Sequence, residues 1–140
     1  MTRHRLLGVV AGLQVATAFV ALRYAVEREL SMDALGVRRE GRDIARDAWF
    51  IGTGITPPLV MMAAQATAGS VVMRRPSAPA SRVLGALGAV MAAGYLLERE
   101  SRSALTRWDP RLTPLTAAGV ALTAPMMGLG LRRDAGPAGG

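Results

Sequence analysis

The feature that most constrains this chain is the segregation of its charges. Leu6–Val26 is apolar except for Gln14, Thr17 and Arg23, and Leu112–Leu131 holds no charged residue. As a helix, Leu6–Val26 would rise about 31 Å, the thickness of a bilayer's hydrocarbon core. A soluble domain of 140 residues needs charge spread over its surface. Here 51% of residues are hydrophobic and the charges cluster at the ends of the apolar runs. That pattern belongs to a chain whose solvent is partly lipid.

Two more runs follow the same plan. Ala48–Met73 is interrupted by Pro57-Pro58. Proline is easy in a first helical turn and costly inside a helix. Either a long helix kinks near Thr56, or Trp49–Thr56 is an interfacial or re-entrant piece and the span proper is Pro57–Met73. Val83–Leu97 is short for a span and reaches adequate length if it starts near Pro79 while Arg82 snorkels. The final run, Leu112–Leu131, has Pro114 in its first turn and Pro125 deeper, and Arg132-Arg133 end it. A cleaved signal peptide is the rival reading of the first run, with basic Met1–Arg5, apolar Leu6–Val15 and a small-x-small site at Ala16-Thr17-Ala18. The apolar stretch continues past that site to Leu22, which favours a retained span.

The polar connections are Leu30–Asp47 and Glu98–Arg111. In the first, Arg39 with Asp43 and Asp43 with Arg46 are spaced for a short surface helix over Arg42–Asp47. Ser31, followed by Asp33, is placed to open another short turn. Asp134–Gly140 is a Gly/Pro/Ala tail expected to be disordered.

A six-residue phrase occurs twice. Tyr24-Ala25-Val26-Glu27-Arg28-Glu29 and Tyr95-Leu96-Leu97-Glu98-Arg99-Glu100 each close an apolar run, and they contain the only two tyrosines. Each is followed by a charged connection, a Trp (Trp49, Trp108), Thr-Pro (Thr56-Pro57, Thr113-Pro114), an apolar run and Arg-Arg (Arg74-Arg75, Arg132-Arg133). The expected fold is therefore all-α: one polytopic domain over residues 1–133, with four transmembrane helices arranged as a tandem, parallel repeat of two helical hairpins. Repeat 1 covers approximately 5–75 and repeat 2 approximately 79–133. Both halves enter the bilayer from the same side, so their symmetry axis runs along the membrane normal.

This plan puts Tyr24, Trp49, Tyr95 and Trp108 at one interface, where amphipathic rings suit the headgroups. Arginines mark the other face: Arg3, Arg5, Arg74, Arg75, Arg82, Arg132 and Arg133. Their density in short segments predicts cytoplasmic termini for a multi-pass protein of the inner or plasma membrane. The net charge is +7, but it sits where topology signals sit, and no nucleic-acid partner is expected. The expected partners are the lipid bilayer and either further copies of the chain or a larger membrane complex.

There is no cysteine, and the only histidine is His4. Disulfides, thiolate sites and a Ser-His-Asp triad on core residues are excluded. No phosphate-binding loop, dinucleotide fingerprint or nucleophile elbow is present. No cofactor, metal site or catalytic residue is expected; Asp43 and Asp47 read as a charge ladder.

Glu27 and Glu98 are the leading chemical candidates. Each lies three residues after its tyrosine, so Tyr24 with Glu27 and Tyr95 with Glu98 share a helix face. Drawn together near the mouth of a bundle, the two acids could hold a proton or a cation. Arg23 precedes Glu27 by four residues and can pair with it, whereas Gly94 stands at the corresponding place before Glu98. The plainer reading makes the phrase an interfacial anchor and a helix end emerging into water. Gln14 lies mid-span, where an amide needs a partner, and Gln65 can supply one. Gly8 with Gly12, Gly85 with Ala89 and Ala93, and Gly88 with Ala92 form small-residue rows suited to close helix packing. Met61, Met62, Met126 and Met127 suit apolar packing. The leading expectation is a non-enzymatic accessory or assembly subunit. The alternatives are a small oligomeric transporter or channel using Glu27 and Glu98, and an enzyme or binder of a lipid-soluble small molecule.

Overall fold

A computed structural model describes residues 1–27, 33–34, 37–38 and 56–132. It contains five helices: α1 (Arg3–Glu27), α2 (Leu59–Arg74), α3 (Ala78–Leu97), α4 (Arg99–Thr106) and α5 (Leu112–Leu131). α1, α3 and α5 are long and apolar enough to cross a membrane, which marks the chain as a membrane protein; α2 is a shorter apolar helix. β1 (Asp33–Ala34) pairs antiparallel with β2 (Val37–Arg38), while Ser31, where a short turn was expected to open, lies outside the described residues. The expected helix over Arg42–Asp47, the re-entrant alternative for Trp49–Thr56 and the tail Asp134–Gly140 lie wholly or mainly outside the described residues.

Helix boundaries follow local chemistry. α1 runs through Ala16-Thr17-Ala18 without a break. α2 begins after Pro57-Pro58, with Pro58 at its N-cap; its carbonyl accepts from the Met61 and Met62 N–H groups. Pro58 is thus a start signal, because a proline at a helix entrance forfeits no internal bond. α3 begins at Ser77, whose hydroxyl accepts from the Ala80 N–H at 3.4 Å, and Pro79 sits in its first turn. The third run therefore starts ahead of Val83 and reaches span length. Pro125 lies inside α5.

Glu98–Arg111 was expected as a plain polar connection, but it holds α4. Ser101 and Ala104 are buried on one face of that helix while Arg99 and Arg102 stay exposed. Ser101, Ala104 and Leu105 recur at helical spacing among charged residues, and that amphipathic face meets α3 and α5. Asp109 then opens α5. Its Oδ1 accepts from the Arg111 and Leu112 N–H groups at 2.8 and 2.7 Å. The Thr113 hydroxyl donates to the Ala104 carbonyl at 2.7 Å, tying α4 to α5.

α1 packs against α2 and α5, and α3 packs against the same two helices. Direct contact between α1 and α3 is slight. The arginine-bearing ends of the four longer helices lie together. The Arg3 guanidinium donates to the Leu129 carbonyl at 3.1 Å and to the Arg132 carbonyl at 2.6 Å, so the start of α1 caps the end of α5. A cation there meets carbonyls left open by the helix terminus.

The two hairpins close differently. α3 and α5 meet backbone to backbone. A Cβ added at Gly130 would stand 2.5 Å from the Gly85 Cα, and one added at Gly88 would stand 2.9 Å from the Met127 nitrogen. These glycines are the price of that approach. The Gly85 and Gly88 rows are thus packing faces, although Ala93 is exposed. Between α1 and α2, Gly8 lies under Met73, but nothing stands within 4 Å of a Cβ at Gly12. Leu7, Val10, Val72, Leu84, Met91 and Met126 fill the core.

Candidate functional site

Polar side chains buried in an apolar bundle are costly unless paired, so they mark the place to look. Gln14 from α1 is fully buried, Gln65 from α2 is 1% exposed, and Thr116 from α5 is 2% exposed. Tyr95 from α3 is also buried. The tertiary contacts bring these groups towards one region. Gln65 Nε2 donates to the Ala11 carbonyl at 3.0 Å, one turn before Gln14 on α1. The Tyr95 hydroxyl is the neighbour of the Gln14 side chain. It also lies over Gly119, where an added Cβ would stand 2.5 Å from the phenolic oxygen. Thr116 is one helical turn from Gly119.

This centre is under-satisfied. Both amide atoms of Gln14, Oε1 of Gln65 and Oγ1 of Thr116 are buried without a hydrogen-bond partner, and the Tyr95 contact satisfies neither Gln14 atom. The set mixes donors and acceptors and carries no formal charge. Such groups can hold water or the hydrogen-bonding part of a small guest. His4 Nδ1, at the arginine-rich end, is also buried and unpartnered.

The two candidate acids stand in different surroundings. The Glu27 side chain is 54% exposed and pairs with Arg23, with Nε to Oε1 at 2.9 Å. Arg23 itself is 84% exposed, so the pair is a solvated helix-surface contact. Glu98 is buried where α3 gives way to α4, and it is engaged rather than free. The two carboxylates thus stand in different environments, as the difference between Arg23 and Gly94 at the preceding turn allowed. Gly94 offers Glu98 no counterpart of Arg23, and α4 folds back from it.

Both tyrosines are buried. Tyr24 packs with Ala21 and Leu112, and Tyr95 packs in the main core. Both rings turn inward rather than lying open at a headgroup surface. Trp108 is 78% exposed and fits an interfacial position; Trp49 lies outside the described residues.

Thr116 was missed by sequence reading, because a threonine in an apolar run usually returns its hydroxyl to the backbone of its own helix. Thr17 and Thr67 do so at 2.9 and 2.8 Å. Among the described residues no group of three or more His, Cys, Asp or Glu side chains is placed to hold a metal ion. No protein-family model, curated protein or solved structure matches this chain.

Proposed function

We propose that the chain is a four-pass protein of the inner or plasma membrane, built from two tandem helical hairpins, that passes protons or a small cation through its polar centre. The observation that carries the transport reading is the Gln14 side chain, fully buried with only a loose contact to the Tyr95 hydroxyl and no well-formed hydrogen bond. In hydrocarbon such a group costs several times what it costs near water. Water held among Gln14, Gln65, Tyr95 and Thr116 meets those needs and supplies a relay. Glu98, one turn beyond Tyr95, is the acid at the mouth of that relay.

Three features support the repeat. Buried Gln65, Ala68 and Val72 on α2 have the same spacing as buried Thr123, Met126 and Gly130 on α5. Buried Val10, Gln14 and Tyr24 on α1 match buried Ser81, Gly85 and Tyr95 on α3. The contacts follow one exchange, with α1 packed on α2 and α5, α3 packed on α5 and α2, and α1 scarcely touching α3, an arrangement compatible with a twofold about the membrane normal. α2 rises about 24 Å, somewhat short of the hydrocarbon core, and snorkelling of Arg74 makes up part of the difference.

The test is proton flux into proteoliposomes loaded with a pH-sensitive dye, with and without a membrane potential. The wild-type chain should raise the flux. Gln14→Leu and Glu98→Gln should abolish that increase, and Glu27→Gln should leave it intact. No flux above empty vesicles, or unaltered flux in both interior variants, rejects transport. The second reading, a non-enzymatic accessory subunit, is favoured by the open groove between α1 and α2. Under that reading the interior variants stay silent, and mild detergent extracts the chain with a stoichiometric partner.

A further inference from the structure

The α1–α2 contact leaves a groove of about 420 Å³ on the outer surface, which reaches inward as far as Gln65 of the buried polar centre. Its floor is made by Gly8, Gly12, Ala66 and Gly69, with Met73 and Arg74 at one end. Met73 lies over Gly8, so that end is narrowed, while the space above Gly12 is open. Gln65 is the polar residue at the inner end of the same groove; its Oε1 is buried without a partner. The volume is within the range of small-molecule sites.

Charge indicates what fills it. Arg74 is exposed and makes no hydrogen bond or ion pair among the described residues. It belongs to the end of the molecule that also presents Arg3, Arg5, Arg75, Arg82 and Arg132, with no acid from the described parts of α1, α2, α3 and α5 at that end. A basic cluster at a helix end beside an apolar channel is complementary to an anionic headgroup attached to a hydrocarbon chain. A zwitterionic lipid carries the same phosphate, but its own cation faces the arginines and weakens the attraction. A second copy of this chain would bring its own arginine cluster against the first when packed in the same orientation.

We infer that the α1–α2 groove is a binding site for one anionic phospholipid, its phosphate on Arg74 and one acyl chain lying over Gly12. The site is independent of the transport reading and requires only that the chain resides in a membrane. The Arg74 guanidinium supplies a planar fork for phosphate oxygens. Gly12 supplies depth, since any larger side chain there occupies the space of the acyl chain.

The experiment is native mass spectrometry of the purified chain in detergent, titrated with phosphatidylglycerol or phosphatidylcholine of the same acyl composition. A one-to-one adduct is expected with phosphatidylglycerol and not with phosphatidylcholine. Arg74→Gln should weaken retention about fivefold, the loss of one arginine near the headgroup. Gly12→Leu should abolish it, and melting temperatures of both variants without lipid show whether the fold is kept. If Gly12→Leu fails to fold, Gly12→Ala serves, with a partial loss expected. Equal retention of the two lipids overturns the proposal, as does undiminished retention by folded Arg74→Gln together with either folded Gly12 variant. Dimers trapped by disulfide formation in Gly12→Cys would identify the groove as an interface between copies and also overturn it.

Discussion

The two hairpins share a plan and differ in closure. α3 and α5 are drawn together until Gly85 and Gly130 touch through their backbones, whereas α1 and α2 separate around Gly12 and leave a groove. Their exits differ as well. Glu27 leaves the first hairpin into solvent on an ion pair with Arg23, and Glu98 ends the second under cover. Two helix pairs with similar sequence markers thus pack differently, one with its backbones in close approach and one with a groove between its helices. Small residues explain the contrast: a glycine opposite a glycine admits the neighbouring backbone, while a glycine opposite nothing leaves space.

The sharpest test of this contrast is a matched pair of alanines. Gly130→Ala drives a methyl into the Gly85 backbone and should cost about 3 kcal/mol, the upper part of the overpacking range. Gly12→Ala meets nothing within 4 Å and should gain about 0.5–1 kcal/mol from helix propensity. Denaturation in mixed micelles measures both. Equal effects would mean that the hairpins close alike.

Gln14 comes next. Gln14→Leu removes two unmet polar atoms and should raise stability by about 1 kcal/mol while proton flux falls. Movement of stability and activity in opposite directions is the signature of a residue kept for function. If Gln14→Leu destabilises the chain, the amide has a structural partner and the relay loses its centre. Gln65→Leu removes the bond to the Ala11 carbonyl and should lower stability by about 0.6 kcal/mol, typical of interhelical bonds in membranes.

The smallest effect is expected at the exposed exit. Arg23→Gln breaks the pair with Glu27 and should change stability by no more than about 0.5 kcal/mol, less in high salt. A loss several times larger would show that the first exit is as structured as the second.

Much of the fold was legible in the sequence because the rules involved are local. Leu112–Leu131 is recovered to the residue, and Pro58 and Pro79 mark helix starts by what a proline does at an N-terminus, while the Ser77 cap was found only in the structure. The candidate site was legible in part. Gln14 and Gln65 stood out as amides in apolar runs, and Arg23 with Glu27 as a spaced pair. Thr116 did not stand out, because its burial depends on which neighbour packs against it, whereas the amphipathic spacing of Ser101, Ala104 and Leu105 in α4 was present in the sequence and went unread.

By itself, then, the sequence determined where the apolar helices run, since hydropathy and capping act within a few residues. Tertiary structure alone decided that Glu98 is covered while Glu27 is not, that both tyrosines turn inward, and that four buried atoms of Gln14, Gln65 and Thr116 lack partners. Burial and hydrogen-bond satisfaction belong to pairs of surfaces brought together by the whole chain, and no short window of residues contains both members of such a pair.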